Sequence, residues 1–485
     1  MNENPSRREF IKFLGAGTAA LFSSQHAFCS KSKDRKPNIV FLYIDDMGWK
    51  DTGFMGSRYY ETPNIDKLAE GGKIFTNAYA NAPNCAPSRA CLLSGQYSPR
   101  HGIYTVNSSE RGSKFRRKII PVPNNTVLPS DIVTFPEVLR SSGYTCGHFG
   151  KWHLGDKTET LPTGQGFDKN AGGNLAGHPK SYFSPYSNKN LEDGPEGEYL
   201  TDRLNDEAIR FIENNRDNPF FLYLSHYAVH SPIRGKKEIL NKYKNKPGIG
   251  GQKDPVYAAM IESIDIGVGN ILEKLQELNL IESTVIFFFS DNGGVVGPRK
   301  TTSNKPLRGG KGMLYEGGIR EPAFVYWPGV VKPDSKCDEP VIGTDLFPTF
   351  LEIAGCEIPD EKILDGKSIV PLLKGEKELE REALFWHFPA YLEGKADGAR
   401  DPYFRTRPCG AVRKGDWKLI EYFEDGDLEL YNLKDDIGET ENLTLKMPEK
   451  VDELFKLMVE WRRSVNAPVP KEKNPFYDPE KDKID

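Results

Sequence analysis

The stretch Asn38-Ile39-Val40-Phe41-Leu42-Tyr43-Ile44-Asp45-Asp46 decides the fold. From Ile39 to Ile44 no polar residue interrupts a β-branched and aromatic run, the pattern of a strand covered on both faces. It ends abruptly in two adjacent carboxylates. Two further runs behave alike: Thr284-Val285-Ile286-Phe287-Phe288-Phe289-Ser290 ends in Asp291-Asn292-Gly293-Gly294, and Phe220-Phe221-Leu222-Tyr223-Leu224 leads to Ser225-His226 and His230. Helices are predicted between them. Thr62-Pro63 opens one that Gly71-Gly72 closes, an amphipathic stretch follows Thr201 as far as Arg216, and Tyr257 to Leu278 carries apolar residues at helical spacing. Alternating strands and helices predict α/β layers around a central, mostly parallel sheet. In such sheets ligands bind beyond the carboxyl ends of the strands, where all three polar clusters fall.

The 485 residues are enough for a large domain with a smaller companion. Composition shifts after about Gly375, and Asp416 to Phe423 with Leu428 to Leu433 flank Glu424-Asp425-Gly426-Asp427 as an antiparallel hairpin would. We therefore expect a catalytic domain over 34–375 and a smaller C-terminal α+β subdomain with an antiparallel sheet and a polar tail over 376–485. The 65 Lys and Arg against 69 Asp and Glu give a net charge of −4 without a basic block, so neither nucleic acid nor an anionic membrane is an expected partner.

At the N-terminus, Ser6-Arg7-Arg8-Glu9-Phe10-Ile11-Lys12 before a short apolar run reads as a twin-arginine signal with a polar leader over 1–33. This implies the twin-arginine export machinery as a partner and a periplasmic or secreted protein. The run is too short to span a bilayer, no later one could, and His26-Ala27-Phe28 makes a poor lipobox before Cys29, so lipid anchoring is not expected. Seven irregularly spaced cysteines do not form a disulfide framework. Most read as buried small hydrophobes, with Cys337 to Cys356 the one candidate bridge.

Adjacent carboxylates at a buried strand end need a counter-charge. Two such clusters, one with the Asn292 amide oxygen, favour a hard divalent cation on oxygen ligands, Ca²⁺ or Mg²⁺. The stretch Asn84-Cys85-Ala86-Pro87-Ser88-Arg89-Ala90-Cys91-Leu92-Leu93-Ser94-Gly95 then places a cysteine at a helix start. Pro87 in the first turn and Gly95 at the end would leave Cys85 immediately before the helix, with a lowered thiol pKa. Thiolate nucleophile, disulfide partner and zinc ligand are the ordinary readings. Zinc lacks a Cys-x-x-Cys partner, an exported thiolate would oxidise, and neither explains Pro87-Ser88-Arg89.

Cys85-x-Pro87-Ser88-Arg89 with Leu92-Leu93-Ser94-Gly95 resembles the signature of type I sulfatases, in which that cysteine is oxidised to Cα-formylglycine (3-oxoalanine). Gly143 to His153, through Gly150-Lys151-Trp152-His153, resembles the family's second signature. Asp45-Asp46, Asp291-Asn292-Gly293, Leu307 to Gly312 and Glu316 to Pro322 extend the likeness over nearly the whole exported chain. Asn84, where the pattern has a small or aliphatic residue, and Ser94, where threonine is usual, depart from it without touching the core signature.

The resemblance implies an alkaline-phosphatase-like fold, one divalent cation with Ca²⁺ favoured over Mg²⁺, and a formylglycine-generating maturase as partner. It also implies roles. Asp45, Asp46, Asp291 and Asn292 would hold the cation with residue 85, while Arg89 and Lys151 would stabilise the hydrated aldehyde and its alkoxide. One hydroxyl of that diol attacks sulfur, and deprotonation of the other expels sulfate, with His153 the candidate base. His230 with Lys311 would bind sulfate and protonate the leaving oxygen.

His101, His148 and His226 are expected to be structural. His178, on the Gly-rich loop Gly172 to Lys180, is a candidate substrate contact. So are Trp386, His387 and Arg413, since aromatic and basic groups suit a sulfated sugar. Asp193 to Arg203 resembles polysaccharide-degrading bacterial sulfatases, which implies exo-desulfation of a sulfated carbohydrate such as a galactose or N-acetylgalactosamine sulfate. Two alternatives stand beside this: a phosphate or phosphonate monoester hydrolase of the same superfamily, and a non-catalytic binder of sulfated glycan in which Cys85 is not converted.

Overall fold

Alternate residues of the strand β1 (Asn38–Ile44) face opposite sides of the central sheet, and both sides are packed. Val40, Leu42 and Ile44 lie in one core with Leu204, Ala208 and Ile212 of helix α3 (Leu200–Asn214) and Ile261, Ile264 and Val268 of α4 (Pro255–Glu277). Ile39, Phe41 and Tyr43 lie in the other with Phe135, Leu92, and Phe347 and Phe350 of α5 (Leu346–Ala354). Burying an aliphatic or aromatic side chain of this size contributes about 1.5–3 kcal/mol, so the unbroken apolar run is what lets β1 sit between two helical layers. The computed structural model describes residues 35–297 and 301–483. The expected export signal over 1–33, with Cys29, lies outside the described residues.

The other strands of this sheet are β2 (Lys73–Tyr79), β3 (Thr145–Gly150), β4 (Lys169–Ala171), β5 (Phe220–His226), β6 (Thr284–Ser290), β7 (Arg320–Tyr326), β8 (Ser335–Cys337) and β9 (Val341–Ile342). Their order is β4-β3-β5-β1-β6-β7-β2-β8, with β9 also on β2. β1 pairs in parallel with β5 and β6, and β3 with β4 and β5. Only β7 runs against its neighbours β6 and β2. The carboxyl ends of β1, β2, β3, β5 and β6 therefore open on one edge, and the start of β7 reaches the same edge.

The expected helices are present, α1 over Pro63–Glu70 and α3 and α4 as above. In the C-terminal region, β10 (Leu384–Phe388), β13 (Cys409–Lys414), β14 (Trp417–Tyr422) and β15 (Leu428–Asn432) form an antiparallel sheet in the order β10-β13-β14-β15. β14 and β15 are the expected hairpin. Leu454, Met458 and Trp461 of helix α6 (Pro448–Ser464) share its core, together with Tyr79 at the end of β2 and Tyr315 before β7. A short ribbon of β11 (Leu392–Glu393) and β12 (Phe404–Thr406) stands apart from this sheet. Residues 37–485 pack as one unit. No helix among the described residues is long and apolar enough to cross a membrane.

The candidate disulfide is not formed: Cys337, on β8, and Cys356, just beyond α5, are both free. Cys91, Cys146, Cys337 and Cys409 are buried thiols, as small hydrophobes are.

Candidate active site

Five strand ends deliver the site. Asp45 and Asp46 follow β1, Lys151 and His153 follow β3, His230 follows β5, and Asp291 and Asn292 follow β6. The segment after β2 leads into helix α2 (Cys85–Ser94), which carries Cys85 and Arg89, and Lys311 lies on the loop before β7. Asp46 and His153 hold backbone φ of 60° and 69°. For non-glycine residues that conformation costs on the order of 1–3 kcal/mol and marks places where geometry is imposed by the surroundings.

Cys85 is the first residue of α2, not the residue before it, and Asn84 is the extended N-cap. Pro87 is the third helical residue, where its missing N–H is no loss because the first four N–H groups have no partner inside the helix. The expected lowering of the thiol pKa is also reversed. Burial pushes the Cys85 thiol up, against Lys151 and Lys311.

Each carboxylate has its own cation. Lys151 Nζ bonds Asp45 Oδ2 at 2.7 Å, with both side chains fully buried. Arg89 donates from Nε and Nη2 to Asp291 Oδ2 at 2.9 and 2.7 Å. Lys311 Nζ bonds Asp46 Oδ1 at 2.6 Å and lies 3.9 Å from Cys85 Sγ. Arg89 is further fixed by the Lys151 carbonyl and by Ser225, whose hydroxyl donates to the same carbonyl. Burial raises Asp46, but Lys311, His230 and Lys151 outweigh it and hold its carboxyl well below the usual range. Asp45 is pushed well up by burial, which Lys151 offsets only in part.

Among the expected metal ligands, two oxygens are left over. Asp45 Oδ1 and Asn292 Oδ1 are buried with no hydrogen-bond partner. Unsatisfied buried acceptors are costly, and ligand atoms of Asp45, Cys85 and Asp291 lie within 4.8 Å of one another. Orphaned oxygens among clustered carboxylates fit a hard divalent cation. With three carboxylates already matched by Arg89, Lys151 and Lys311, such an ion would make the pocket net positive and so receptive to an anion.

Asp46, Cys85, His153, His230 and Lys311 line a cavity of about 900 Å³, within the size range of small-molecule sites. His153 Nδ1 is buried without a partner, and burial followed by Lys151 and Arg89 pushes its pKa well down. His230 donates from Nδ1 to the Ser231 carbonyl at 2.8 Å and turns Nε2 toward Asp46 Oδ2 at 3.7 Å. Its pKa is pushed down to about 3, by burial and then Lys311. His178 lines the cavity, stacked on His230 with ring centroids 6.1 Å apart.

Trp386, His387 and Arg413 do not reach this cavity. They belong to β10 and β13 and are 1%, 5% and 5% exposed. Trp386 donates to the Ala80 carbonyl at 2.8 Å and packs on Tyr79, His387 bonds the Pro468 carbonyl, and Arg413 bonds the Tyr79 hydroxyl. Trp386 and Arg413 dock the C-terminal sheet onto the end of β2, while His387 ties β10 to the segment after α6. His101, His148 and His226 are buried too, and burial pushes each down to about 3.

The sequence reading missed other residues. Asp51, five residues past the acid pair, takes bonds from Gly48 N, Gln252, Tyr257 and Thr302, and Tyr257 also donates to the Asp46 carbonyl. A third carboxylate so close to the pair was the available signal. Arg111, Glu393 and Arg405 line the cavity. Nothing in their local sequence marks them.

Known proteins resemble this chain over most of its length. The sulfatase family profile matches residues 37–356, and the profile for the C-terminal part of N-sulphoglucosamine sulphohydrolase matches 310–463. The chain is 35% identical to a sulfatase of Formosa agariphila, covering 86% of each chain. It is also 35% identical to the N-acetylgalactosamine-6-sulfatase of Homo sapiens, over 72% of this chain and 68% of that one. The crystal structure of Ps i-CgsB in complex with k-i-k-neocarrahexaose superposes with a TM-score of 0.73 at 30% identity, over 88% of this chain and 93% of that one.

Proposed function

The chain belongs to the sulfatase family and has its alkaline-phosphatase-like α/β fold, and from that premise we propose that it removes O-sulfate from a sulfated carbohydrate, acting on exposed sugar units, with Cys85 converted to formylglycine. The observation that carries this reading is one juxtaposition. Cys85 opens a helix at the floor of a cavity where Asp45 Oδ1 and Asn292 Oδ1 lack partners and Lys311 Nζ lies 3.9 Å from its Sγ. A galactose or N-acetylgalactosamine sulfate is the favoured substrate, supported by a relative named N-acetylgalactosamine-6-sulfatase and a neighbour solved with an oligosaccharide.

In this mechanism Arg89 and Lys151 surround the nucleophilic oxygen of residue 85 with fixed positive charge, set in place by Asp291, Asp45 and Ser225 before substrate arrives. Lys311 binds a sulfate oxygen. A divalent cation held by Asp45, Asp46, Asp291 and Asn292, Ca²⁺ in preference to Mg²⁺, would supply Lewis acidity toward the sulfate group and ease deprotonation of the diol. Burial and Lys311 favour the neutral form of His230 in the free pocket. An incoming sulfate ester places negative charge beside its Nε2, which raises its pKa, so that His230 takes up a proton from solvent on binding and delivers it to the departing alcohol. His153, held neutral, accepts the proton of the second hydroxyl when sulfate is released.

A peptide mass about 18 Da below that of cysteine at position 85 tests the conversion, since an aldehyde replaces the thiol. Matured protein is then assayed on defined sulfated monosaccharides and disaccharides, with phosphate esters in parallel and Cys85→Ala as control. Turnover of sulfate esters, lost in the control, is expected. Full turnover by Cys85→Ala refutes the mechanism, faster phosphate cleavage favours the phosphohydrolase reading, and an unconverted cysteine with glycan binding favours the binder. Chelation should abolish turnover and lower the melting temperature, both restored by Ca²⁺.

A further inference from the structure

The wall of the cavity beside Lys311 carries an imbalance of charge that sulfate chemistry at residue 85 does not use. Arg405, on β12, lays its stem against Gly312, where an added Cβ would meet Arg405 Cδ at 2.6 Å. Its Nη1 donates to the Lys311 carbonyl at 3.2 Å, while its Nε is buried with no partner. The carboxylate next to it is Glu393, across the ribbon on β11. Glu393 Oε1 is already taken by Arg111, at 2.8 Å from Nη2 and 3.3 Å from Nε. Two guanidiniums thus flank one carboxylate, Arg111 holding its Oε1 while its Oε2 has no partner, and among the described residues Arg405 has no ion pair. All three side chains face the cavity that contains Cys85 and Lys311.

An Nε–H kept in this state is costly, because burial removes its water and no partner replaces it. Burial, with repulsion from Arg111, outweighs attraction from Asp46 and Glu393 and holds Arg405 below the ordinary arginine value. Paired arginines of this chain, such as Arg89 and Arg407, shift the opposite way. The planar fork matches an oxyanion, and Lys311 ties the two anion-binding points together: its ammonium faces residue 85 while its carbonyl holds Arg405.

We propose that Arg405, with Arg111 and Glu393 beside it, forms a second anion subsite that selects substrates bearing a further oxyanion, a carboxylate or a second sulfate, close to the sulfate ester that is cleaved. This rests on the sulfatase reading and narrows its substrate class to doubly anionic saccharides. Arg111 holds Glu393 through Oε1, and Arg405 Nε is left for the ligand.

The test uses full-length enzyme with formylglycine confirmed at position 85, and compares kcat/KM within two substrate pairs. N-acetylgalactosamine 4,6-disulfate against the 6-sulfate probes a second sulfate, and a uronate-linked N-acetylgalactosamine 6-sulfate disaccharide against its uronate methyl ester probes a carboxylate. A preference for the doubly anionic member of roughly tenfold to a hundredfold is expected in at least one pair, weakening with salt. Arg405→Gln should abolish it. Arg111→Gln should reduce it as well, because Glu393 is then released to pair with Arg405. Equal rates within both pairs for the wild-type enzyme, or an unchanged preference in Arg405→Gln, overturns the subsite. If no sulfate ester is cleaved at all, the sulfatase reading has failed, and calorimetric titration of the desulfated uronate disaccharide decides the subsite separately. Binding that Arg405→Gln removes supports it, and absent or unaltered binding overturns it.

Discussion

Replacing Lys418 by methionine should loosen the loop that supports the acid cluster, and the structure says by how much and at which pH. Lys418, on β14, is fully buried, with Nζ 2.9 Å from Glu316 Oε1 and 2.9 Å from Glu439 Oε1. Glu316 N donates to Glu439 Oε2 at 2.7 Å, and Glu316 Oε2 accepts from Tyr79 at 2.6 Å and lies 3.4 Å from Arg320. The turn that Glu316 opens presses on Gly293, whose added Cβ would lie 1.9 Å from the Gly317 carbonyl oxygen. The same cation therefore joins the C-terminal sheet to the backbone just behind Asp291 and Asn292. Breaking a buried pair on one side costs about 3–5 kcal/mol. Arg320 and Tyr79 remain with Glu316, so the lower figure, about 3 kcal/mol, applies near pH 6.

The pH dependence follows from Glu439, whose carboxyl is pushed up to about 7 by burial, against Lys418. A folded pKa above the unfolded value of about 4.5 gives stability that is present at low pH and lost as pH rises through the folded pKa. In the wild type that loss is complete a little above pH 7. Without Lys418 the folded pKa rises further, so the variant's deficit should grow by up to about 1.4 kcal/mol per pH unit above 7. Urea unfolding of both proteins between pH 6 and 8.5 measures this, and Lys418→Met/Glu439→Gln should remove the pH-dependent part. A deficit below about 1 kcal/mol, or one parallel across pH and untouched by the second substitution, refutes the reasoning.

Three further outcomes are expected. In Gly177→Ala the new Cβ would lie 2.5 Å from His153 Cε1, so the imbalance must be relieved by moving that ring, and kcat/KM should fall by on the order of a hundredfold with stability within about 1 kcal/mol; wild-type kinetics would remove His153 from the chemistry. Trp386→Phe leaves the Ala80 carbonyl without its donor and should cost about 1–3 kcal/mol while changing kcat/KM less than roughly threefold; a large rise in KM would return Trp386 to the substrate site. His101 is buried with its pKa pushed down to about 3, and its Nδ1 accepts from Ile103 N at 3.1 Å. A folded pKa below the unfolded value of about 6.5 makes its contribution complete above that pH and lost as pH falls. The penalty of His101→Gln should therefore shrink by up to about 1.4 kcal/mol per unit below pH 6.5, and parallel stability curves would contradict it.

Local pattern was enough to define the strands over 38–44, 220–226 and 284–290, because burial on both faces leaves no room for a polar alternate. It also marked where β1 and β6 must stop, since Asp45 and Asp291 cannot continue an apolar layer, whereas β5 runs two residues past its apolar stretch through buried Ser225 and His226. Cys85, Arg89, Lys151, His153 and Lys311 were legible as candidates through their motifs, and the structure brings them together with His230 and His178. Trp386, His387 and Arg413 were misplaced for a physical reason. An aromatic or basic side chain looks the same in sequence whether it faces a cavity, fastens one sheet to another through Tyr79 as Trp386 and Arg413 do, or bonds the Pro468 carbonyl as His387 does.

The sequence by itself determined which segments are buried and which residues carry chemistry, because hydrophobic period and local backbone demands act over a few neighbours. Only the tertiary structure decided that β1 lies between β5 and β6, that Asp45 meets Lys151 and Asp291 meets Arg89, and that Arg405 Nε is left without a partner among the described residues. Those pairings join residues more than a hundred positions apart or depend on where a short ribbon falls against a loop. Sheet order and the balance of buried charge set them, and neither is written in any one stretch of chain.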